Sequence, residues 1–205
     1  MYTLYSLPGS CSTGISILLT NLGQPFEVVN PKGMENYLSV SPTGQVPALD
    51  DDGLLITEGA AIALYLLEKH GNENVADKLS DKAVFLRWLM FNYATLHPAY
   101  SKLFSVNGSM EDSAEKTALM QALADKLSDT WAIVDRRLED QNFMVGEQAT
   151  IIDYLLAIYT GWNAFFPAQT ITVGDNVRNL VSTVAGLPEF QEAYAKEGNE
   201  FVVAA

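Results

Sequence analysis

Cysteine is nearly absent: the 205 residues include one, Cys11. A lone thiol cannot close an intramolecular disulfide, which excludes a stapled secreted scaffold. Only two histidines accompany it. Thiolates and imidazoles therefore cannot supply the four ligands of a structural zinc site, and no metal is expected. Basic side chains are scarce, with 12 Lys and Arg against 25 Asp and Glu, a net charge of −13. That balance argues against nucleic acid or an anionic membrane as partner, since both need clustered cations. Before Lys69 the only basic residue is Lys32. Long apolar runs are missing too. Stretches such as Ala60–Leu67 fall far short of the roughly 20 residues of a membrane span. The start, MYTLYSLPGS, lacks the basic region and long apolar core of a signal peptide. A soluble cytoplasmic protein is the expectation.

What is present is a chain that is 48% hydrophobic, too apolar for disorder. Its first third alternates strand and helix signals. Tyr2–Ser6 is β-rich and runs into Pro8-Gly9. Ile15, Leu18, Leu19 and Leu22 recur at helical spacing before Gly23. Phe26–Asn30 is the next strand, and Met34–Val40 is at best a short helix. Val46–Leu49 and Leu54–Thr57 flank Asp51-Asp52-Gly53, a hairpin signal. Glu58–His70 is a helix closed by Gly71. Residues 73–79 are polar and predict a linker. Beyond them only helical periodicity remains, over Ala83–Phe104, Ala114–Leu138, a central Ile151–Phe166, Val177–Ala185 and Pro188–Lys196. Thr150 and Asp153 stand as cap and third residue of the central helix, a capping-box variant. The fold class is α/β plus all-α, with domains at 1–72 and 80–205.

Three short segments carry chemistry. Ser10-Cys11-Ser12 lies where the first strand's turn enters a helix. Free N–H groups and the positive dipole end there lower a thiol pKa, so Cys11 is a candidate reactive cysteine. A buried small hydrophobe is the alternative, and Ser10, Ser12 and Thr13 read first as N-caps. In Gln45-Val46-Pro47-Ala48-Leu49, a cis bond would leave the Val46 backbone free for a peptide-like ligand. In Thr57-Glu58-Gly59, N–H groups could hold a carboxylate and Glu58 an ammonium, unless Thr57 is simply an N-cap.

In this order and on this βαβ–ββα plan, these segments resemble the cytosolic glutathione transferases, most of all the bacterial beta class. Pro8–Ser12 (PGSCS) is similar to that class's Pro-Gly, small residue, Cys-Ser. Ser41–Leu49 (SPTGQVPAL) is similar to its N-P-x-G-x-V-P-A-L loop, and Leu54–Leu67 to its acidic–small pair and third helix. Leu96–Tyr100 (LHPAY) and Thr150–Asp153 extend the resemblance through the second half.

The resemblance implies a thioredoxin-like N-terminal domain, a cis Val46–Pro47 bond and glutathione as co-substrate. Val46 would pair with the cysteinyl part of glutathione. Glu58 and Gly59 would hold its γ-glutamyl end, and Cys11 would sit beside its sulfur. His97 matches a position that contacts the site; a helix-end residue before Pro98 is the alternative. Lys32 is the only candidate for the lysine that meets the glycyl carboxylate. An asparagine expected seven residues before the histidine is Met90, with Asn92 nearby, and Pro98 stands where a lysine often follows the histidine. Tyr5 reads as a strand aromatic. Trp88, Phe91, Tyr93, Tyr100, Phe104, Trp162 and Phe165 are candidates to line an apolar electrophile pocket between domains. The implied activity is conjugation by a homodimer, with thiol–disulfide exchange through Cys11. A disulfide reductase or peroxidase, and a noncatalytic binding protein, are the alternatives.

Overall fold

The computed structural model describes residues 1–71 and 79–201. The first part holds β1 (Tyr2–Tyr5), α1 (Cys11–Asn21), β2 (Phe26–Val29), α2 (Tyr37–Val40), β3 (Ala48–Asp51), β4 (Leu54–Thr57) and α3 (Gly59–His70). The strands form one sheet in the order β2-β1-β3-β4. β1 and β2 are parallel, as a helical crossover requires, and β3 and β4 form the expected antiparallel hairpin. Register places Leu4 opposite Leu49, both fully buried. This is the thioredoxin-like domain that the family resemblance implies.

The second part is helical: α4 (Leu79–Phe91), a π turn (Asn92–Leu96), α5 (His97–Ser109), α6 (Ala114–Arg137), α7 (Ile151–Gly161), a 3₁₀ turn (Trp162–Phe165), α8 (Asp175–Ala185) and α9 (Pro188–Lys196). The single helix expected over 83–104 is thus broken in its middle. Pro98 has no N–H, and its ring collides with the carbonyl four residues back in a regular helix. The π turn absorbs that conflict, the His97 N–H reaching Asn92 O. The central helix also stops early, at Gly161, and tightens into the 3₁₀ turn. The linker expected over 73–79 lies outside the described residues except for Leu79, which begins α4.

α1 is where the two halves meet. It packs on α3 to one side and on α7 and α9 to the other. Every residue from Cys11 to Leu19 is buried, as in a helix covered on all sides. Gly14 is required there, because a Cβ would come within 2.8 Å of the Leu155 side chain of α7. α7 itself is buried from Ile151 to Thr160. Its capping box is formed: Ile152 N donates to Thr150 Oγ1, and Thr150 N donates to Asp153 Oδ2 at 2.8 Å. Met144 N donates to the other Asp153 oxygen at 2.8 Å, which ties the preceding loop to the helix.

Candidate active site

Cys11 is the first residue of α1, and Ser10 is its N-cap, accepting from Ser12 N. The loop before it is fastened from the far end of the chain. Ser6 Oγ and Thr13 Oγ1 donate to the two oxygens of Glu197, at 2.7 and 2.6 Å. Gly9 N donates to Thr13 Oγ1, and Trp162 Nε1 donates to Gly9 O at 2.8 Å. The hydroxyls of Ser12 and Thr13 therefore brace the loop rather than cap the helix. Burial raises the Glu197 carboxyl above its ordinary range, against the pull of those hydrogen bonds.

The Cys11 thiol departs from the sequence expectation. Its pKa is pushed up to about 12, not lowered. Burial is the largest cause, and the charge of Glu58 adds to it; the N–H groups of Cys11 and Ser12 pull the other way and lose. Only 8% of the residue is exposed, and the thiol points to Val46 O at 3.7 Å. A helix N-terminus favours a thiolate only while solvent or a counter-charge reaches it; packing from α3 and α7 removes the solvent.

A cleft of about 190 Å³ opens beside this sulfur. Cys11, Val46, Pro47, Glu58, Gly59 and His97 all line it, although the sequence spreads them over 87 positions from 11 to 97. The Val46–Pro47 bond is cis. Thr57 ends β4, so it is not the cap of α3. Glu58 holds that position at φ +69°, with no side-chain capping bond. A glutamate in this region is strained by about 1–3 kcal/mol, and it lines the cleft. Gly59 answers to a neighbour. A Cβ there would lie 2.4–2.6 Å from the ring and hydroxyl of Tyr93.

His97 lies edge-on to Tyr159 and Trp162, at 5.7 and 5.4 Å. Burial lowers its pKa, so the imidazole is neutral at pH 7. Lys32 is not brought in. It is exposed on the β2–α2 connection and does not line the cleft. Among the described residues no Lys or Arg does, and Glu58 is the one acidic residue in its lining. Tyr5 stays in its strand against Tyr37. Asn92, not Met90, faces inward: its Nδ2 donates to Ile152 O at 3.0 Å, whereas Met90 is 38% exposed. Sequence reasoning missed Ser41, Thr43 and Thr57 as cleft residues, and treated Tyr93 only as one aromatic among seven. No local pattern distinguishes them.

The aromatics divide. Trp88, Tyr100 and Trp162 are buried, while Phe104 and Phe165 stack edge to face and reach the surface. A cavity of about 340 Å³ lies between the Pro8-Gly9 loop and Trp162, Phe165 and Phe201. A larger one, about 480 Å³ between the 3₁₀ turn and α8, contains none of the residues above.

Residues 1–68 match the family described as glutathione S-transferase, N-terminal domain. Glutathione S-transferase GstA of Escherichia coli O157:H7 is 30% identical, over 95% of this chain and 98% of that protein. The chain belongs to the glutathione S-transferase family. Among solved structures, a glutathione S-transferase from Xylella fastidiosa superimposes with a TM-score of 0.86 at 26% identity, covering 97% of this chain and 100% of that one. A sphingomonad glutathione S-transferase complexed with glutathione gives 0.79 at 27% identity, over 96% and 98%. As a glutathione S-transferase, the chain presents its Cys11 sulfur, the Val46 backbone and the Glu58-Gly59 corner to a single cleft.

Proposed function

We propose that this glutathione transferase conjugates glutathione to apolar electrophiles in the cleft at Cys11. The observation that carries the reading is the convergence there of Cys11, Val46, Pro47, Glu58, Gly59 and His97. Val46 would pair through its backbone with the cysteinyl part of glutathione. The Gly59 N–H, at the start of α3, suits the γ-glutamyl carboxylate, and the Glu58 carboxylate suits the ammonium. The glutathione sulfur then lies against Cys11. With its pKa near 12, Cys11 stays protonated and donates a hydrogen bond to the glutathione thiolate, which attacks the electrophile. The protonated thiol favours conjugation over disulfide reduction, because exchange needs a thiolate.

The PGSCS segment supports the bacterial beta class. Residues 1–72 serve as the glutathione-binding domain and 80–205 as the substrate domain. A homodimer, a cytoplasmic location and a role in detoxification complete the reading. Among the described residues no helix is long and apolar enough to cross a membrane.

The test is calorimetric titration with glutathione, then turnover on an aryl halide beside turnover on a mixed disulfide, with sedimentation for the dimer. Binding below millimolar, with faster aryl turnover, is expected. Absence of heat at millimolar glutathione would leave a noncatalytic binding protein as the better reading. In Cys11→Ala, aryl turnover should fall about tenfold or more, the worth of a hydrogen bond to a charged group. No glutathione adduct should appear by mass spectrometry.

A further inference from the structure

Four of the five tyrosines of the helical half fall into two groups by the partners of their hydroxyls. Tyr100 is fully paired, donating to Asn163 Oδ1 at 2.7 Å and accepting from Trp131 Nε1 at 2.9 Å. Tyr154 donates to Glu189 Oε1 at 2.8 Å. Tyr93 and Tyr159 are different. Both hydroxyls are wholly buried, and among the described residues neither has a hydrogen-bond partner. Leaving a buried hydroxyl unpaired is costly, and a phenylalanine would avoid the cost. The two unpaired phenols also lie near Cys11, close enough for its thiol to add to the rise of their pKa.

Of the pair, only Tyr93 lines the cleft. It enters from the π turn between α4 and α5, and its hydroxyl lies over the bare Cα of Gly59. The glycine thus makes room for a donor at the γ-glutamyl corner, on the side of Cys11. The ionisable groups around that hydroxyl are Cys11 on α1, Glu58 before α3, His97 at the start of α5 and Tyr159 on α7. His97 is neutral and no Lys or Arg among the described residues lines the cleft, so no cation there competes to stabilise negative sulfur. Burial holds the Tyr93 phenol well above its ordinary pKa. It is therefore a donor, never a base, over the working pH range.

We propose that the Tyr93 hydroxyl donates a hydrogen bond to the sulfur anion formed in this cleft and is a catalytic residue of the transferase reaction. The inference rests on the glutathione reading above. The sulfur is that of glutathione, since the buried Cys11 thiol keeps its proton. No bond forms or breaks at Tyr93; the proton stays on its oxygen, and the anion is stabilised where it forms.

The experiment is Tyr93→Phe, alone and combined with Cys11→Ala, assayed with glutathione and an aryl halide from pH 6 to 9. Losing a donor to the thiolate raises the thiol pKa, so the rising limb of kcat/KM should move up by about one pH unit. Activity should fall about tenfold at pH 6.5 and converge with wild type near pH 9. A shift that persists in the Cys11→Ala background places the bond on glutathione and supports the proposal; one seen only with Cys11 present would overturn it. The calorimetric Kd for glutathione should change little. Removing an unpaired hydroxyl should leave Tm unchanged or raise it by about 2–4 °C. An unmoved pH limb in both backgrounds would overturn the proposal, as would a lowered Tm with wild-type kinetics. If the wild-type chain itself neither binds nor conjugates glutathione, it is the glutathione reading that fails.

Discussion

Gly59 is empty of side chain because Tyr93 fills the space a Cβ would occupy. Substituting Gly59→Ala forces the Tyr93 ring or the start of α3 to move. A cost of about 1–3 kcal/mol is expected, as for other overpacked sites. Urea unfolding should show it as a lower midpoint at unchanged slope. Glutathione binding should fall with it, since the displaced N–H is the one assigned to the γ-glutamyl carboxylate. Double substitution with Tyr93→Ala should return most of the stability. The sequence marks Glu58-Gly59 as a candidate ligand corner, but it does not say why the second position is glycine. The reason lies 34 positions away, at Tyr93, and local pattern cannot reach that far.

At the scale of elements, two devices hold the site's walls. One is the π turn ahead of Pro98, which sets the phase at which Tyr93 and His97 face the cleft. Periodicity predicts one helix through Pro98, although the alternative of a helix end at His97 was legible from that proline. The extra residue in the turn was not, because a π turn and a kink satisfy the same constraint. The other device is the capping box of α7, readable from Thr150 and Asp153 alone. Thr150→Ala is expected to cost about 1–2 kcal/mol, the ordinary worth of a cap. Asp153→Ala should cost more. It frees three buried donors at once, Met144 N, Thr150 N and the Thr150 hydroxyl, and each unpaired donor costs about 1–3 kcal/mol. Thermal unfolding of the two variants side by side gives the order; equal losses would mean that the Met144 contact adds nothing.

Over the whole molecule, the charge of −13 meets a cleft whose lining, among the described residues, contains no Lys or Arg. Glutathione carries a net negative charge at pH 7. In the proposed site its close contacts would be with backbone N–H groups at a helix start, and its distant ones with a molecule of like net charge. Salt screens the distant part first, since the Debye length is about 10 Å at 0.1 M. Affinity is therefore expected to rise about twofold between 10 and 150 mM salt, a size set by modest screened repulsion. Calorimetry at the two concentrations checks it. A fall instead would show that a cation reaches the ligand, whether Lys32 moved from its exposed turn or a residue of a second copy.

The order of strands and helices, the hairpin, the capped central helix and the placing of Cys11 at a helix start were determined by the sequence alone. Periodicity, turn residues and caps act over a few positions, and no distant contact overrode them. Tertiary structure decided what those residues can do. It buried the Cys11 sulfur and so reversed the direction of its pKa. It left Lys32 outside, bound the Cys11 loop to Glu197, and set an unpaired Tyr93 hydroxyl over Gly59. Each of these follows from desolvation and close packing between segments far apart in the chain, which no spacing of residues along it encodes.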